Sequence, residues 1–392
     1  MAVWQYVNCL LFHLTNSLWL GMRGVARGTM DNTFHYAFPA IRGVQAGREY
    51  YVSMCPLRLI PKIFLFDEEE LTPELRSQRT LNKARIPEMA RYITEHPDGY
   101  VFSALTASVD ADLEFEPVSQ ENDRLGVLRI PMSGTFIIND GQHRRAAIEA
   151  ALNLNPKLAD ESIAVVFFSD IGLARSQQMF ADLNRYAIRP STSISLLYDH
   201  RDKAAELTRR LVLEAEPFRD LVEMERSTLS ARSRRLFTLS AIYQATNALL
   251  VDATDDLEAG LSTAKAFWEE VAKQLPEWSQ VRRGQIPASE VRQDLIHSHA
   301  VVLNAIGKSG AALLREAPKD WKKRLKALSK IDWSRNSPTW AGRAVVGGRL
   351  SKATQNVILT ANYIKKSMDL ELSPEDRRIE DAFQRGDYER ST

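Results

Sequence analysis

The sequence predicts an α+β protein in two parts, a mixed α/β domain followed by an all-helical domain. Its 392 residues exceed what one hydrophobic core usually organises, which favours two domains over one. Up to about residue 192, short β-rich runs alternate with stretches of helical spacing. From about residue 193 the strand signals fade and long helical patterns take over.

Residues 1–29 stand apart. Val3 to Leu20 is apolar in tone, but Gln5, Asn8, His13, Thr15 and Asn16 interrupt it, which makes a poor membrane span. The run also lacks a basic start and a small-residue cleavage site, so it is a weak signal peptide. It reads as a mis-assigned start or a disordered leader, with the folded protein opening near Met30 and a first strand entered at residues 32–39. Residues 67–82 are charged and interrupted by proline, which suits a surface loop or short helix. Strands are expected at residues 100–109, 125–131, 135–139 and 162–169, with helices at 86–96, 142–154 and 172–186. These elements make a first domain over residues 30–192. Arg189-Pro190-Ser191-Thr192-Ser193 is the obvious break, and its Ser and Thr also suit a helix N-cap. Helices follow at 194–215, 236–251, 257–275, 289–306 and 355–366 in a second domain over residues 193–368, with an acidic tail at 369–392.

A hydrophobic share of 44% and a charged share of 26% are those of globular proteins, which excludes a largely disordered or fibrous chain. The net charge is only +1, so any signal for a polyanion partner must be local. Cys9 and Cys55 are too few for a disulfide scaffold, a four-thiolate zinc site or an iron–sulfur cluster, and they fit a reducing cytoplasm. No metal site is expected. His297 and His299 lie two apart and share no helical face, and Asp199, His200, Arg201 and Asp202 read as a solvated helix face in preference to a metal or acid–base cluster.

Local charge is more informative. Between residues 321 and 368 eleven Lys and Arg stand against one acid, Asp332. Lys322, Lys323, Arg324, Lys326, Arg335, Arg343, Arg349 and Lys352 are the candidate DNA contacts of this tract. Trp333, Trp340, Gly342, Gly347 and Gly348 are interleaved with them, which suits close approach to a sugar-phosphate backbone. A second, acid-free stretch carries Arg226, Arg232, Arg234 and Arg235, and would double the polyanion surface if both clusters face the same way. A solvated face paired with acids elsewhere is the alternative. The tail, with eight acids against four bases, would screen the tract from within the molecule.

The sharpest local feature runs from Thr135 to Leu152 and reads strand, turn, helix. Asp140 is placed to cap the helix, Gly141 permits an unusual backbone angle, and the free N–H groups of the first turn would point outward. Such an end attracts anions. Gln142 and His143 sit in that first turn, and Arg144 and Arg145 add forked donors for phosphate oxygens, making a candidate phosphate or nucleotide site. His143 would donate to the same phosphate or shuttle a proton. Asn184 and Arg185, at the end of the 172–186 helix, are candidates for the same pocket. The bland alternative is a tight turn with surface arginines and a satisfied histidine.

Asp140-Gly141-Gln142-His143-Arg144 resembles the signature of DGQHR-domain proteins. The run from Phe180 to Pro190, Tyr198-Asp199-His200-Arg201-Asp202, Leu229-Ser230-Ala231-Arg232-Ser233 and Trp340-Ala341-Gly342-Arg343-Ala344 resemble the DndB family of DNA sulfur modification proteins, a likeness that extends from about residue 33 to 366. The resemblance implies a member of a gene cluster that replaces a non-bridging phosphate oxygen of DNA with sulfur. It implies a DNA-binding transcriptional regulator and not the sulfur-transfer enzyme. The implied partners are operator DNA of its own gene cluster, other modification proteins and a second copy of the chain, with no cofactor required and ATP or CTP with Mg as an optional ligand. More distantly, the turn is similar to that of the ParB/sulfiredoxin-like fold, whose members bind nucleotide phosphates there. Gln142 stands where sulfiredoxin has its nucleophilic cysteine, so reductase chemistry is not implied. Ala146, Ala147 and Ile148 stand where ParB-type clamps carry further arginines. Two other classes stay open. One is an NTP-binding or NTP-hydrolysing accessory enzyme using Asp140, His143 and Asp182 without a P-loop; the other is a non-catalytic adaptor for the modification complex.

Overall fold

The computed structural model describes residues 34–64, 82–169, 173–185, 190–252 and 256–386. The expectations for residues 1–29 and for the loop over 67–81 lie outside the described residues. The chain divides into two compact units, residues 1–187 and 188–392. The first is built on a sheet and the second is mostly helical, an α+β protein.

The sheet has seven strands: β1 (His35–Gln45), β2 (Arg48–Pro56), β3 (Leu105–Asp110), β4 (Glu114–Pro117), β5 (Leu125–Pro131), β6 (Thr135–Asp140) and β7 (Ser162–Ser169), in the spatial order β4-β5-β1-β2-β7-β3-β6. All neighbours are antiparallel except β3 and β7. The β1–β2 hairpin closes on Ala46 and Gly47, both at positive φ (51° and 73°), the turn whose twist matches the strands. Alanine is an unusual residue there, and sequence reading finds only the start of β1.

Along β7, Ile163, Val165 and Phe167 point to one face and pack with Phe38, Phe64 and Phe136. Burying each such side chain contributes about 2 kcal/mol. Over this face lie the helical turn Ile60–Ile63, α1 (Ile86–Glu95) and α2 (Gln142–Leu154). The opposite face receives α3 (Leu173–Arg185), whose Met179 sulfur meets the buried Ser108 and Asn139 side chains. Cys55 is fully buried in the sheet core, and burial pushes its thiol up to about 12, so it is no nucleophile.

The second unit contains α4 (Thr192–Tyr198), α5 (Lys203–Glu214), α6 (Leu239–Leu249), α7 (Leu257–Gln274), α8 (Pro276–Arg282), α9 (Ala288–Asp294), α10 (Ala300–Glu316), α11 (Trp321–Leu325), α12 (Thr354–Ser367) and α13 (Pro374–Gln384). Helix α10 lies at its centre between α6 and α12. A Cβ on Gly307 would sit 2.1 Å from the Ala245 carbonyl oxygen, so only glycine lets these backbones approach so closely. Among the described residues no helix is long and apolar enough to cross a membrane.

Two expected helices are each broken in two. Over 194–215 the Asp202 carboxylate caps α5 by accepting from Ala204 and Ala205 N–H at 2.8 and 3.2 Å, and Asp199 accepts from the N–H groups of Arg201 and Asp202. Residues 199–202 are therefore a capping turn and not the solvated helix face expected. Over 289–306 the helix stops because Leu295 pairs in strand fashion with Ser334. His297 is buried there, accepting from the Trp278 indole N–H at 3.0 Å.

The basic tract is partly core. Trp333 and Trp340 are buried and stacked at 5.3 Å, so neither is available to a nucleic acid as expected. Arg343, expected on DNA, is also buried. Its guanidinium forks onto Glu380 of α13 at 2.9 and 2.7 Å, and the Leu359 carbonyl takes a further bond. Lys366 donates to the same Glu380 oxygen at 2.9 Å and Lys365 to Asp376 at 2.7 Å. The described part of the acidic segment is thus a helix docked on three cations of the tract. Burial alone would raise the Glu380 carboxyl; Arg343 and Lys366 override it and hold the group at about 2. Glu380→Gln should cost roughly 3–5 kcal/mol in denaturant unfolding at pH 7, because it strands a buried guanidinium. The folded value lies below the usual 4.5, so this stability is present above that pH and lost as pH falls toward 2. Equal stabilities of the two proteins at pH 7 would show the pair to be worthless.

Candidate functional site

Strand β6 ends at Asp140, and Gly141 turns the chain into α2 with φ 111° and ψ 16°. A Cβ at Gly141 would lie 2.5 Å from a Leu105 methyl and 3.2 Å from the Arg144 guanidinium, so both conformation and space require glycine. Gly141 itself is the N-cap and no side chain caps the helix, which corrects the expectation for Asp140. The Asp140 carboxylate instead pairs with Arg144, whose guanidinium also donates to the carbonyl (3.0 Å) and hydroxyl of Ser103. Gln142 turns back to donate to the Ile138 carbonyl at 3.1 Å.

Arg145, expected at the anion, is buried with its guanidinium donating to the Phe64 carbonyl (2.9 Å), the Pro61 carbonyl (3.2 Å) and Glu149. It points away from the helix start because its position on α2 faces the Ile60–Ile63 turn. Its work is to seat α2 on that turn.

His143 accepts a hydrogen bond at Nε2 from the Asn82 backbone N–H at 3.0 Å. Burial, and then the charge of Arg85, lower its pKa. The ring is therefore neutral with its proton on Nδ1, and the lone pair a base would need is already engaged. Arg85 is an exposed cation that sequence reading missed; it stands 58 residues away in the chain, beyond any local pattern. What the turn offers an anion is the N–H groups of Gln142, His143 and Arg144, which have no intrahelical acceptor, together with the Arg144 fork.

Asp182 is exposed on α3, accepting from Gln178 at 2.8 Å. With Arg48, Thr106, Phe168, Met179 and Leu183 it lines a groove of about 520 Å³. Thr106 pairs with Asp140 across β3 and β6, so the groove adjoins the strand end that carries the turn. Arg185 is exposed at the end of α3, while the Asn184 side chain lies outside the described residues. Among the described residues no three His, Cys, Asp or Glu side chains group closely enough to hold a metal ion.

In the second unit Arg226, Arg232 and Arg234 are exposed and Arg235 is half-buried, donating to the Asp220 carbonyl. Lys322, Lys323, Lys326, Arg349 and Lys352 are exposed. Arg324 and Arg335 are half-buried and each donates to a carbonyl, of Asp369 at 2.8 Å and of Gly348 at 3.2 Å. The expected contact set thus keeps its lysines and loses Arg343.

Arg145→Ala should destabilise the protein by about 3 kcal/mol, since two buried carbonyls and Glu149 lose their donor; an unchanged midpoint in urea would refute the seating role. For His143, whose folded pKa lies below its ordinary 6.5, the stability it confers is full above that pH and lost as pH falls through the lowered value. Nitrogen NMR should show an unprotonated Nε2 at pH 7 and a titration midpoint under 6.5.

A family model described as DndB, DNA-sulfur modification-associated, matches residues 38–371. No curated protein and no solved structure matches the chain.

Proposed function

The chain belongs to the DndB family of DNA-sulfur modification-associated proteins, and from that premise we propose that it is a DNA-binding regulator of a DNA phosphorothioation gene cluster. The observation that carries the reading is the set of exposed cations in the helical unit, Arg226, Arg232, Arg234, Lys322, Lys323, Lys326, Arg349 and Lys352. A protein of net charge +1 concentrates them in two short stretches. Such groups bind phosphates by releasing counterions, whatever the sequence of the DNA.

The DGQHR turn has a separate role in this proposal. It holds one phosphate, of the DNA backbone or of ATP or CTP with Mg, on its free N–H groups and on Arg144. The phosphate takes the place of the Asp140 carboxylate, which now occupies the Arg144 fork. The distant resemblance of the turn's sequence, Gly141-Gln142-His143-Arg144, to the nucleotide-binding turn of ParB/sulfiredoxin-like proteins supports a nucleotide there. Catalysis by the turn is disfavoured because the His143 lone pair is engaged. Operator DNA of the gene cluster is the proposed partner, with a second copy of the chain providing the two-fold symmetry a palindromic operator needs.

Binding to a duplex from the upstream region of the gene cluster should be tight, sequence-preferring and steeply salt-dependent. Replacing Lys322, Lys323 and Lys326 by Ala should reduce the salt slope by about 0.9 for each phosphate that is no longer neutralised. Arg144→Ala should leave DNA affinity intact and abolish nucleotide binding if the turn holds an effector, and weaken DNA binding if it holds the backbone. A wild-type protein with no preference for the upstream duplex over an unrelated one would defeat the regulator reading.

A further inference from the structure

Residues 225–235 form an irregular segment whose backbone is held by side chains from elsewhere in the unit. At its start, Ser191 donates to the Glu225 carbonyl, Ser193 donates to the Arg226 carbonyl at 3.1 Å, and Glu223 accepts from the N–H groups of Glu225 and Arg226. At its end stands Arg292 of α9. One guanidinium donates to four carbonyls, those of Ser230 (3.0 Å), Ala231 (3.1 Å), Ser233 (3.0 Å) and Arg235. Among the described residues no carboxylate pairs with Arg292, and none pairs with Arg226, Arg232 or Arg234. Fixing an irregular loop in this way costs conformational entropy and a desolvated charge. The segment presents three exposed arginines in return.

The second cationic stretch hangs on the same scaffold. Directly after α9, Arg335 N–H donates to the Asp294 carbonyl at 2.8 Å, Leu295 bridges to Ser334, and Ile296 N–H donates to the Trp333 carbonyl at 3.0 Å. The Arg335 guanidinium reaches the Gly348 carbonyl at 3.2 Å, next to the exposed Arg349. His299 touches the same anchor. Its Nε2 is 2.8 Å from the Arg292 carbonyl, and after burial the charges of Arg335 and Arg292 are among the influences that lower its pKa.

We propose that Arg226, Arg232 and Arg234 form, with Arg335 and Arg349, one continuous face for the sugar-phosphate backbone of a nucleic-acid duplex, and that Arg292 is the residue that positions it. This rests on the DNA-binding reading and extends it by joining the two clusters and naming their common anchor. A duplex is the fitting partner because the aromatic rings beside the second cluster, Trp333 and Trp340, are buried and cannot stack on the bases of a single strand. Arginines on a fixed backbone suit phosphates at fixed spacing.

The test measures affinity for a 30-bp duplex across a salt series, with thermal unfolding of each variant alongside. Arg226→Ala/Arg232→Ala/Arg234→Ala and Arg335→Ala/Arg349→Ala should each weaken binding about tenfold or more and flatten the salt slope. The combined variant should lose both increments. Arg292→Lys, which keeps the charge but loses the fork, should flatten the salt slope as the triple variant does although all three arginines remain. Should Arg292→Lys not fold, Ser193→Ala, which releases the other end of the loop, should reproduce part of the same flattening. A wild type that does not bind duplex at all would sink the DNA reading itself. Binding that survives the triple variant, or a combined variant no weaker than one single cluster, would overturn the continuous face. A wild-type slope in a folded Arg292→Lys, or in Ser193→Ala if the lysine variant does not fold, would overturn positioning. Preference for an acidic polypeptide over the duplex would reassign the face to a protein partner and overturn the proposal.

Discussion

A guanidinium stays charged at any pH a protein meets, so burying one obliges the fold to supply an acceptor for each donor it withdraws from water. Two buried arginines, Arg145 and Arg343, and the half-buried Arg292 impose that constraint here. Arg145 ties α2 to the Ile60–Ile63 turn, Arg292 gathers four carbonyls of the 225–235 segment, and Arg343 locks α13 through Glu380. Two of them dock a helix on a neighbouring element, and Arg292 fixes a segment that has little regular hydrogen bonding of its own. Helix α2, the cationic loop and the acidic helix are joined to their surroundings by the same chemistry.

The same constraint separates structural cations from those left exposed. At the DGQHR turn the most conspicuous pair, Arg144 and Arg145, are both engaged, one with Asp140 and Ser103 and the other with the protein interior. A carboxylate beside the first turn of α2 already answers the positive end of the helix. The Arg144 fork is therefore occupied by the protein's own carboxylate. In the helical unit the position is reversed. Arg226, Arg232, Arg234 and Arg349 are exposed and have no carboxylate partner among the described residues.

The acidic segment pairs with the basic tract inside the molecule through an ordered helix. Its Glu380 and Asp376 are inserted among Arg343, Lys365 and Lys366. The match to the family stops at residue 371, before this helix begins at Pro374. The cations it covers lie within the matched stretch, and the helix that covers them lies past it.

Periodicity along the chain is enough to place β5, β6, β7, α1, α2 and α3 to within a residue or so, because a strand or helix with one buried face repeats its apolar residues at a fixed spacing. Residue type and local charge mark Gly141 as the hinge of the turn and both cationic stretches. Periodicity does not reveal the β1–β2 hairpin, whose turn uses an alanine at positive φ, nor the breaks at residues 199–202 and 295–299, where capping and a distant strand partner end a helix. Above all it does not tell buried cations from exposed ones. Arg145 and Arg343 read in sequence like the exposed Arg232 and Arg349, and only packing against carbonyls and carboxylates far along the chain makes the first pair internal. Sequence pattern reports local spacing, whereas exposure depends on which remote groups the fold brings within hydrogen-bonding distance.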